Sequence, residues 1–235
     1  MLIKKETKKI NLSELLDGAV LLIDKPKNKS SFFIVNEVKK KFGIKKVGHA
    51  GTLDPVATGL LIICIGKKTK EISRFQEMHK VYSGKITLGA TTISMDSETE
   101  LQQISENVFL EEKKIHEIKN SFIGEIEQIP PMFSALKYKG KSLYKYARKG
   151  IEIKREPRKV TVYNFEIKEI NLPQISFEIE CSKGTYIRVI ANDFGIKTGF
   201  GGYLSELQRI KIGEFGINDA LNIDELKEIE FIQNN

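Results

Sequence analysis

Tryptophan is absent from this 235-residue chain. Cysteine occurs only as Cys64 and Cys181, and histidine only as His49, His79 and His116. Two cysteines cannot build a disulfide framework. Each lies in an apolar, strand-like run, so both read as buried free thiols of a protein kept in a reducing cytoplasm. The scattered histidines and cysteines have no metal-ligand spacing, which excludes a zinc site. Long hydrophobic runs are missing as well. The longest, Leu60 to Ile65, falls far short of the ~20 residues that a bilayer span requires. The opening MLIKKETKKINL carries charge without the apolar stretch of a signal peptide. No P-loop, Gly-x-Ser-x-Gly elbow, internal repeat or low-complexity tract is present.

What remains is 40% hydrophobic and 29% charged, ordinary for a globular protein with a sizeable core. The net charge of +7 is unevenly placed. Between Lys137 and Lys159 ten Lys or Arg stand against Glu152 and Glu156, so that segment is +8 and the rest of the chain is −1. A near-neutral body with one basic segment suits an anionic partner, most simply nucleic acid. Judged by charge alone, a solvated lysine-rich loop that aids solubility fits equally well.

Periodicity places the elements. Val20 to Asp24 reads as a short buried strand. After Lys25-Pro26, Ser30 or Ser31 caps a helix whose Phe33, Ile34, Val38 and Phe42 recur at helical spacing, and Gly43 closes it. Two glycines and a proline make Gly48 to Pro55 a shaped loop. Gly59 to Gly66 reads as a buried strand, Lys67 to Met78 as a short helix, and Lys80 to Leu88 alternates as a half-buried strand. Leu110 to Phe122 is predicted as a helix. Val160 to Ile170 and Gln174 to Cys181 are predicted as paired strands, Thr185 to Thr198 as a helix, Tyr203 to Phe215 as a strand, and Asn218 to Ile229 as a last helix. The pattern predicts one α+β domain over residues 1–235, built on a mixed, mostly antiparallel sheet flanked by helices.

Within it, Asp54 is displayed on a Gly-rich loop between a helix and a buried strand. An Asp before Pro is commonly a turn or capping residue, and no catalytic partner follows by local spacing. The residues alone identify an RNA-binding-like protein with a displayed carboxylate.

Six separated blocks take the reading further. Gly48-His49-Ala50-Gly51-Thr52-Leu53-Asp54-Pro55-x-Ala57-x-Gly59-x-Leu61, running on to Gly66-Lys67-Lys68-Thr69-Lys70, resembles the catalytic motif of the TruB family, bacterial tRNA pseudouridine-55 synthases. Asp24-Lys25-Pro26 with Ser30-Ser31 is similar to its N-terminal signature, and Lys80-Val81-Tyr82 leading to Leu88-Gly89 to its second motif. Pro130-Pro131-Met132-Phe133-Ser134-Ala135-Leu136-Lys137, then Gly140, Leu143-Tyr144 and Ala147 to Gly150, resembles its long RNA-gripping insertion. Gly184-Thr185-Tyr186-Ile187-Arg188 and Leu204 to Arg209 match the last two motifs.

The resemblance implies the pseudouridine synthase fold, with a basic insertion at about 130–159. It implies conversion of uridine 55 in the tRNA T loop to pseudouridine by a monomer that needs no metal or cofactor. Asp54 would be the nucleophile or its close equivalent, adding to C1′, adding to uracil C6, or assisting elimination at the sugar. Arg188 matches the arginine that pairs with the catalytic aspartate, and Tyr82 the tyrosine that stacks on the target base. Tyr186 and Leu207 would wall the pocket, and Asp96 would orient pocket or RNA groups. His49 resembles the residue that fills the space left by the flipped nucleotide, beside Gly51 and Thr52. Lys137, Lys139 and Arg148 would grip phosphates of the T arm.

Three departures stand out. Ala50 replaces a commoner threonine. Thr92-Ile93-Ser94-Met95-Asp96 departs from the usual second motif around Ile93. The sequence also ends about twenty residues past the last motif, which leaves no room for the C-terminal PUA domain of many relatives, so recognition is expected to be confined to the T arm. Two rivals are a tRNA-binding folding chaperone and a related synthase acting on another RNA. The first predicts a broken active site, and the second predicts no insertion of this kind.

Overall fold

The computed structural model describes residues 1–232, folded as two compact units. One comprises residues 1–82 together with the stretch from Gln208 onward, and the other comprises Ser83–Leu207.

The first unit begins with β1 (Leu2–Ile3), β2 (Lys9–Asn11) and α1 (Leu12–Asp17), capped by the Asn11 side chain. Next come β3 (Ala19–Lys25), α2 (Ser31–Phe42), β4 (Val47–His49), β5 (Thr58–Ile65), a 3₁₀ turn at Gly66–Glu71, α3 (Ile72–Glu77) and β6 (Lys80–Leu88), which passes the unit boundary. Ser30 caps α2 through Phe33 N, and Gly43 ends it in the left-handed conformation, as the sequence predicts.

β3 and β5 pair antiparallel from Ala19↔Ile65 to Lys25↔Gly59, β1 runs parallel to β3, and β4 runs antiparallel to β5. Both faces of this sheet are covered. Leu21, Ile23, Leu61 and Ile63 pack with Ile34 and Val38 of α2. The alternate residues Val20, Leu22, Leu60 and Ile62 pack with Ala50 and Phe75. Burial on both faces explains why β3 and β5 read as continuous apolar runs and do not alternate.

The second unit carries β7 (Ala90–Thr92), β8 (Leu101–Gln103), α4 (Glu112–Asn120) and β9 (Gly124–Gln128). The basic insertion follows, with a two-stranded hairpin of β10 (Lys137–Tyr138) and β11 (Lys141–Ser142) and the short helix α5 (Leu143–Ala147). Then come β12 (Arg158–Asn171), β13 (Gln174–Cys181), α6 (Ile187–Thr198) and β14 (Gly202–Ile212), whose last residues re-enter the first unit. Within the second unit the strand order is β14-β6-β13-β12-β9, with β12 antiparallel to both its neighbours. Phe122, Phe165, Phe177 and Phe194 interlock beneath α4 and α6.

In the first unit β14 lies parallel to β5, pairing Gln208 with Thr58 and Arg209 with Gly59. β15 (Phe215–Gly216), α7 (Ile223–Glu228) and β16 (Glu230–Ile232) complete the described chain, with β16 parallel to β2. The sheet pairing is thus mixed and mostly antiparallel, as expected.

The sequence reading departs from the structure in several places. The strand predicted to Phe215 ends at Ile212, because Gly213 adopts φ +53° and turns the chain into the hairpin with β15. The helix predicted from Asn218 begins only at Ile223, because Leu221 exchanges backbone bonds with Leu22 and Asp24 of β3. The hairpin and α5 of the insertion had no readable period.

Candidate active site

Asp54 sits half-buried on the loop between β4 and β5, and the backbone of that loop is tied down residue by residue. Ala50 N donates to Ile62 O. Arg209 Nη2 donates to Gly51 O at 3.3 Å while its Nε holds Leu60 O at 2.8 Å. Ser31 Oγ both accepts from Leu53 N (2.9 Å) and donates to Leu53 O (3.1 Å). Asp54 O accepts from Ala57 N, and Pro55 O accepts from Asn28 N and from Lys25 Nζ. The same ammonium donates to Pro26 O and Lys29 O, so one lysine joins the end of β3, the turn after it and the Asp54 loop. Such anchoring fixes the direction in which a side chain is displayed before any ligand arrives.

The charges around this loop are buried. Lys25 is fully inaccessible and Arg209 is 1% exposed. Burial pulls the Lys25 ammonium down to about 8; the Asp54 carboxylate opposes that fall and the Arg209 guanidinium adds to it. Burial, with the Arg209 charge behind it, also lowers the His49 imidazole, against the pull of a backbone bond at Gly51, so His49 is neutral near pH 7. Thr52 lies exposed beside these groups. Ala50 is buried among apolar side chains and anchored by its backbone, while the Nδ1 of the adjacent His49 is buried with no hydrogen-bond partner among the described residues. Tyr82 is on β6 and 9% exposed.

In the second unit Arg188, on the first turn of α6, is 3% exposed and donates from Nη1 to Asp96 Oδ2 at 3.0 Å. Its Nη2 donates to Phe133 O at 2.6 Å, and its guanidinium lies over the Tyr186 ring. Asp96 is equally enclosed: Thr92 Oγ1 and Ser94 Oγ donate to its carbonyl, Glu98 N donates to its Oδ1, and it bridges to Leu204 of β14. Each of these bonds offsets part of the cost of holding two ions this deep. Met95, with φ +66°, turns the chain so that Asp96 faces inward, and Ile93 stays exposed on the outside of the turn. Gln128, at the end of β9, accepts from Tyr186 N and donates to Tyr186 O, holding both polar groups of one residue. Leu207 is half-buried on β14.

Lys137, Lys139 and Arg148 lie on the insertion together with Lys141, Lys145 and Lys149, and all six reach solvent. None of these six cations pairs with a carboxylate among the described residues, whereas Lys154, Arg155 and Lys159 at the base pair with Glu156, Glu152 and Glu125. Aromatic rings interleave with them, Lys139 over Tyr138 and Arg148 over Tyr144.

The structure thus gathers Asp54, Gly51, Thr52 and His49 on one anchored segment, and Arg188, Asp96 and Tyr186 in one buried cluster. Sequence reasoning gave no role to Lys25, Arg209, Gln128, Glu98 or Tyr144, and it read Ser31 only as a cap. Lys25 carried a usable signal, a lysine ending an otherwise buried strand, which must find acceptors.

The model of the TruB family pseudouridylate synthase N-terminal domain matches residues 39–187. The tRNA pseudouridine synthase B of Flavobacterium johnsoniae is 50% identical over 222 residues, covering 92% of this chain and 97% of that protein. This protein belongs to the TruB family. The synthase of the same name from Chloroherpeton thalassium is 49% identical over 217 residues, covering 90% of each chain. Among solved structures, a chain of a Cbf5–Nop10–Gar1 complex superposes with a TM-score of 0.70 at 26% identity, covering 94% of this chain and 58% of that one. As a TruB-family pseudouridine synthase the protein is an isomerase. The matched region holds Asp54, Tyr82, Asp96 and the insertion, and stops one residue before Arg188.

Proposed function

We propose that this TruB-family protein isomerises uridine 55 in the T loop of tRNA to pseudouridine, acting as a monomer in the cytoplasm, with Asp54, Tyr82 and Arg188 carrying the reaction. The observation that carries this reading is the Asp54 loop, whose carbonyls are held by Arg209, Ser31 and Lys25 so that one carboxylate is displayed in a fixed direction. The isomerisation breaks N1–C1′ and forms C5–C1′. The hydrogen on C5 leaves and N1 gains one, so the equation balances without a co-reactant. Asp54 acts as the nucleophile or its equivalent. Tyr82 stacks on the extruded base, an interaction worth roughly 1–3 kcal/mol against the few kcal/mol that extrusion costs.

Tyr186 and Leu207 shield the base from water. His49, neutral and flanked by Gly51 and Thr52, faces the RNA. The exposed cations Lys137, Lys139 and Arg148 meet its phosphates, which gives affinity without sequence preference. No helix of the described residues is long and apolar enough to cross a membrane.

The test is an unmodified tRNA transcript incubated with the enzyme and mapped by carbodiimide primer extension, alongside Asp54→Asn. A stop at the T-loop uridine with wild type and none with the variant is the expected result. Equal stops, or none with wild type, would overturn the reading. A chaperone without catalysis would refold tRNA equally well with either protein and give no stop.

A further inference from the structure

The basic insertion and the buried Arg188–Asp96 pair are joined by a continuous chain of bonds. Tyr144, on α5 of the insertion, donates its hydroxyl to Glu98 Oε1 at 2.8 Å. Glu98 N donates to Asp96 Oδ1 at 3.0 Å, and Asp96 Oδ2 accepts from Arg188 Nη1 at 3.0 Å. A second route closes the ring. Tyr144 N donates to Ser134 O at 3.0 Å, the Tyr144 ring meets Phe133 edge-on at 5.9 Å between centroids, and Phe133 O accepts from Arg188 Nη2. Tyr144 thus reaches both groups that hold the guanidinium. Its ring also lies under Arg148, one of the cations with no carboxylate partner among the described residues.

The geometry points to Tyr144 as a positioning residue for Arg188, a latch through Glu98 by which the seated insertion fixes the guanidinium for turnover. This rests on the assignment of Arg188 to the reaction. Three observations favour a latch over a bond that only stiffens a loop. Ser94 Oγ and Thr92 Oγ1 already secure the backbone of the Asp96 turn, so the turn itself is held without Tyr144. The hydroxyl bond spans from residue 144 to residue 98, tying α5 to that turn across a long stretch of chain. Its acceptor is a carboxylate, which holds the phenol proton in place and keeps Tyr144 a donor above its ordinary range. RNA phosphates that engage Arg148 therefore pull on the same ring whose hydroxyl meets Glu98.

The experiment measures single-turnover tritium release from tRNA carrying 5-tritiated uridine, with tRNA affinity measured separately by filter binding and folding by thermal melting. Tyr144→Phe keeps the ring against Phe133 and beneath Arg148 and removes only the hydroxyl. The expected result is a turnover rate about tenfold lower, the scale of a charge-assisted hydrogen bond, with affinity and melting temperature held close to wild type. Glu98→Ala gives the same loss, and the double variant loses no more, because both substitutions break one link. Glu98→Gln, whose amide oxygen still accepts the phenol proton, recovers most of the rate lost in Glu98→Ala. Unchanged turnover in Tyr144→Phe, multiplied losses in the double variant, or a loss confined to affinity would each overturn the latch. Arg188→Lys separates the two assignments. Wild-type turnover in that variant overturns the role of Arg188 itself, whereas an inactive Arg188→Lys beside a fully active Tyr144→Phe overturns the latch alone.

Discussion

Lys25 places an ammonium where no solvent reaches it and satisfies it with carbonyls of Pro26, Lys29 and Pro55. Its acidity, shifted by burial from 10.5 to about 8, fixes the sign of a pH effect. Between those values the unfolded chain holds a proton on Lys25 that the folded chain has released, so the contribution of this residue to stability rises with pH across that window. In urea unfolding, wild type should therefore gain stability relative to Lys25→Met as pH climbs from 8 toward 10.5; a constant difference would contradict the assigned burial. Ser31→Ala tests the neighbouring anchor. It strands both polar groups of Leu53 and should cost about 1–3 kcal/mol in the same assay, together with a lower turnover rate than the stability loss alone explains. In the second cluster Asp96→Asn leaves the Arg188 charge enclosed without its carboxylate, and removing one partner of such a pair costs about 3–5 kcal/mol. At this scale the motif blocks singled out Asp54, Tyr82 and Arg188, the residues proposed to carry the reaction. They did not reveal Arg209 and Ser31 as anchors, because these act on backbone carbonyls and amides, which look alike at every position of a sequence; only Lys25, ending a buried strand, betrayed its need for acceptors.

Elements with a strong period were readable, and those shaped by tertiary pairing were not. β3, α2, β5 and the β12–β13 pair fell close to where alternation and helical spacing put them, because each buries a regular face. α6 starts at Ile187, two residues later than predicted: Tyr186 stays extended with its N–H on Gln128, and its carbonyl accepts from Val189 N and Ile190 N as the cap of the helix. The hairpin of the insertion turns at Lys139 and Gly140, both at positive φ, the geometry of a tight two-residue turn. Its strands are too short and too polar to show alternation. Close approach of elements is equally hidden. Gly195 of α6 lies against the backbone of Gly201 and Gly202 at the start of β14, and a Cβ there would overlap main-chain atoms. Gly195→Ala has no flexible neighbour to displace, so it should cost about 3 kcal/mol or more, at the upper end of overpacking. Chemical denaturation would check this, and a loss below about 1 kcal/mol, the lower end of that range, would mean that α6 and β14 separate easily.

For the molecule as a whole, charge is unevenly placed. Much of the surface neutralises itself in exposed ion pairs, among them Lys67–Asp17, Lys85–Glu206, Lys168–Glu166 and Lys227–Asp224, pairs that add little to stability and little to the external field. The six cations of the insertion that meet no carboxylate among the described residues do the opposite: they leave a concentrated positive field beside paired tyrosine rings. Association with RNA should then depend on salt chiefly through this segment, since each phosphate neutralised releases a counterion. Lys137, Lys139 and Lys141 test this without disturbing Tyr144 or Arg148. Replacing the three with Gln should weaken tRNA binding and flatten the slope of log affinity against log salt by roughly 2–3, about 0.7–0.9 for each phosphate that goes without its lysine. The association rate should fall in parallel at low ionic strength and converge with wild type at high salt, as expected when a long-range field guides encounter. A slope equal to wild type would place the phosphate grip elsewhere on the protein and leave the insertion with only its link to Arg188.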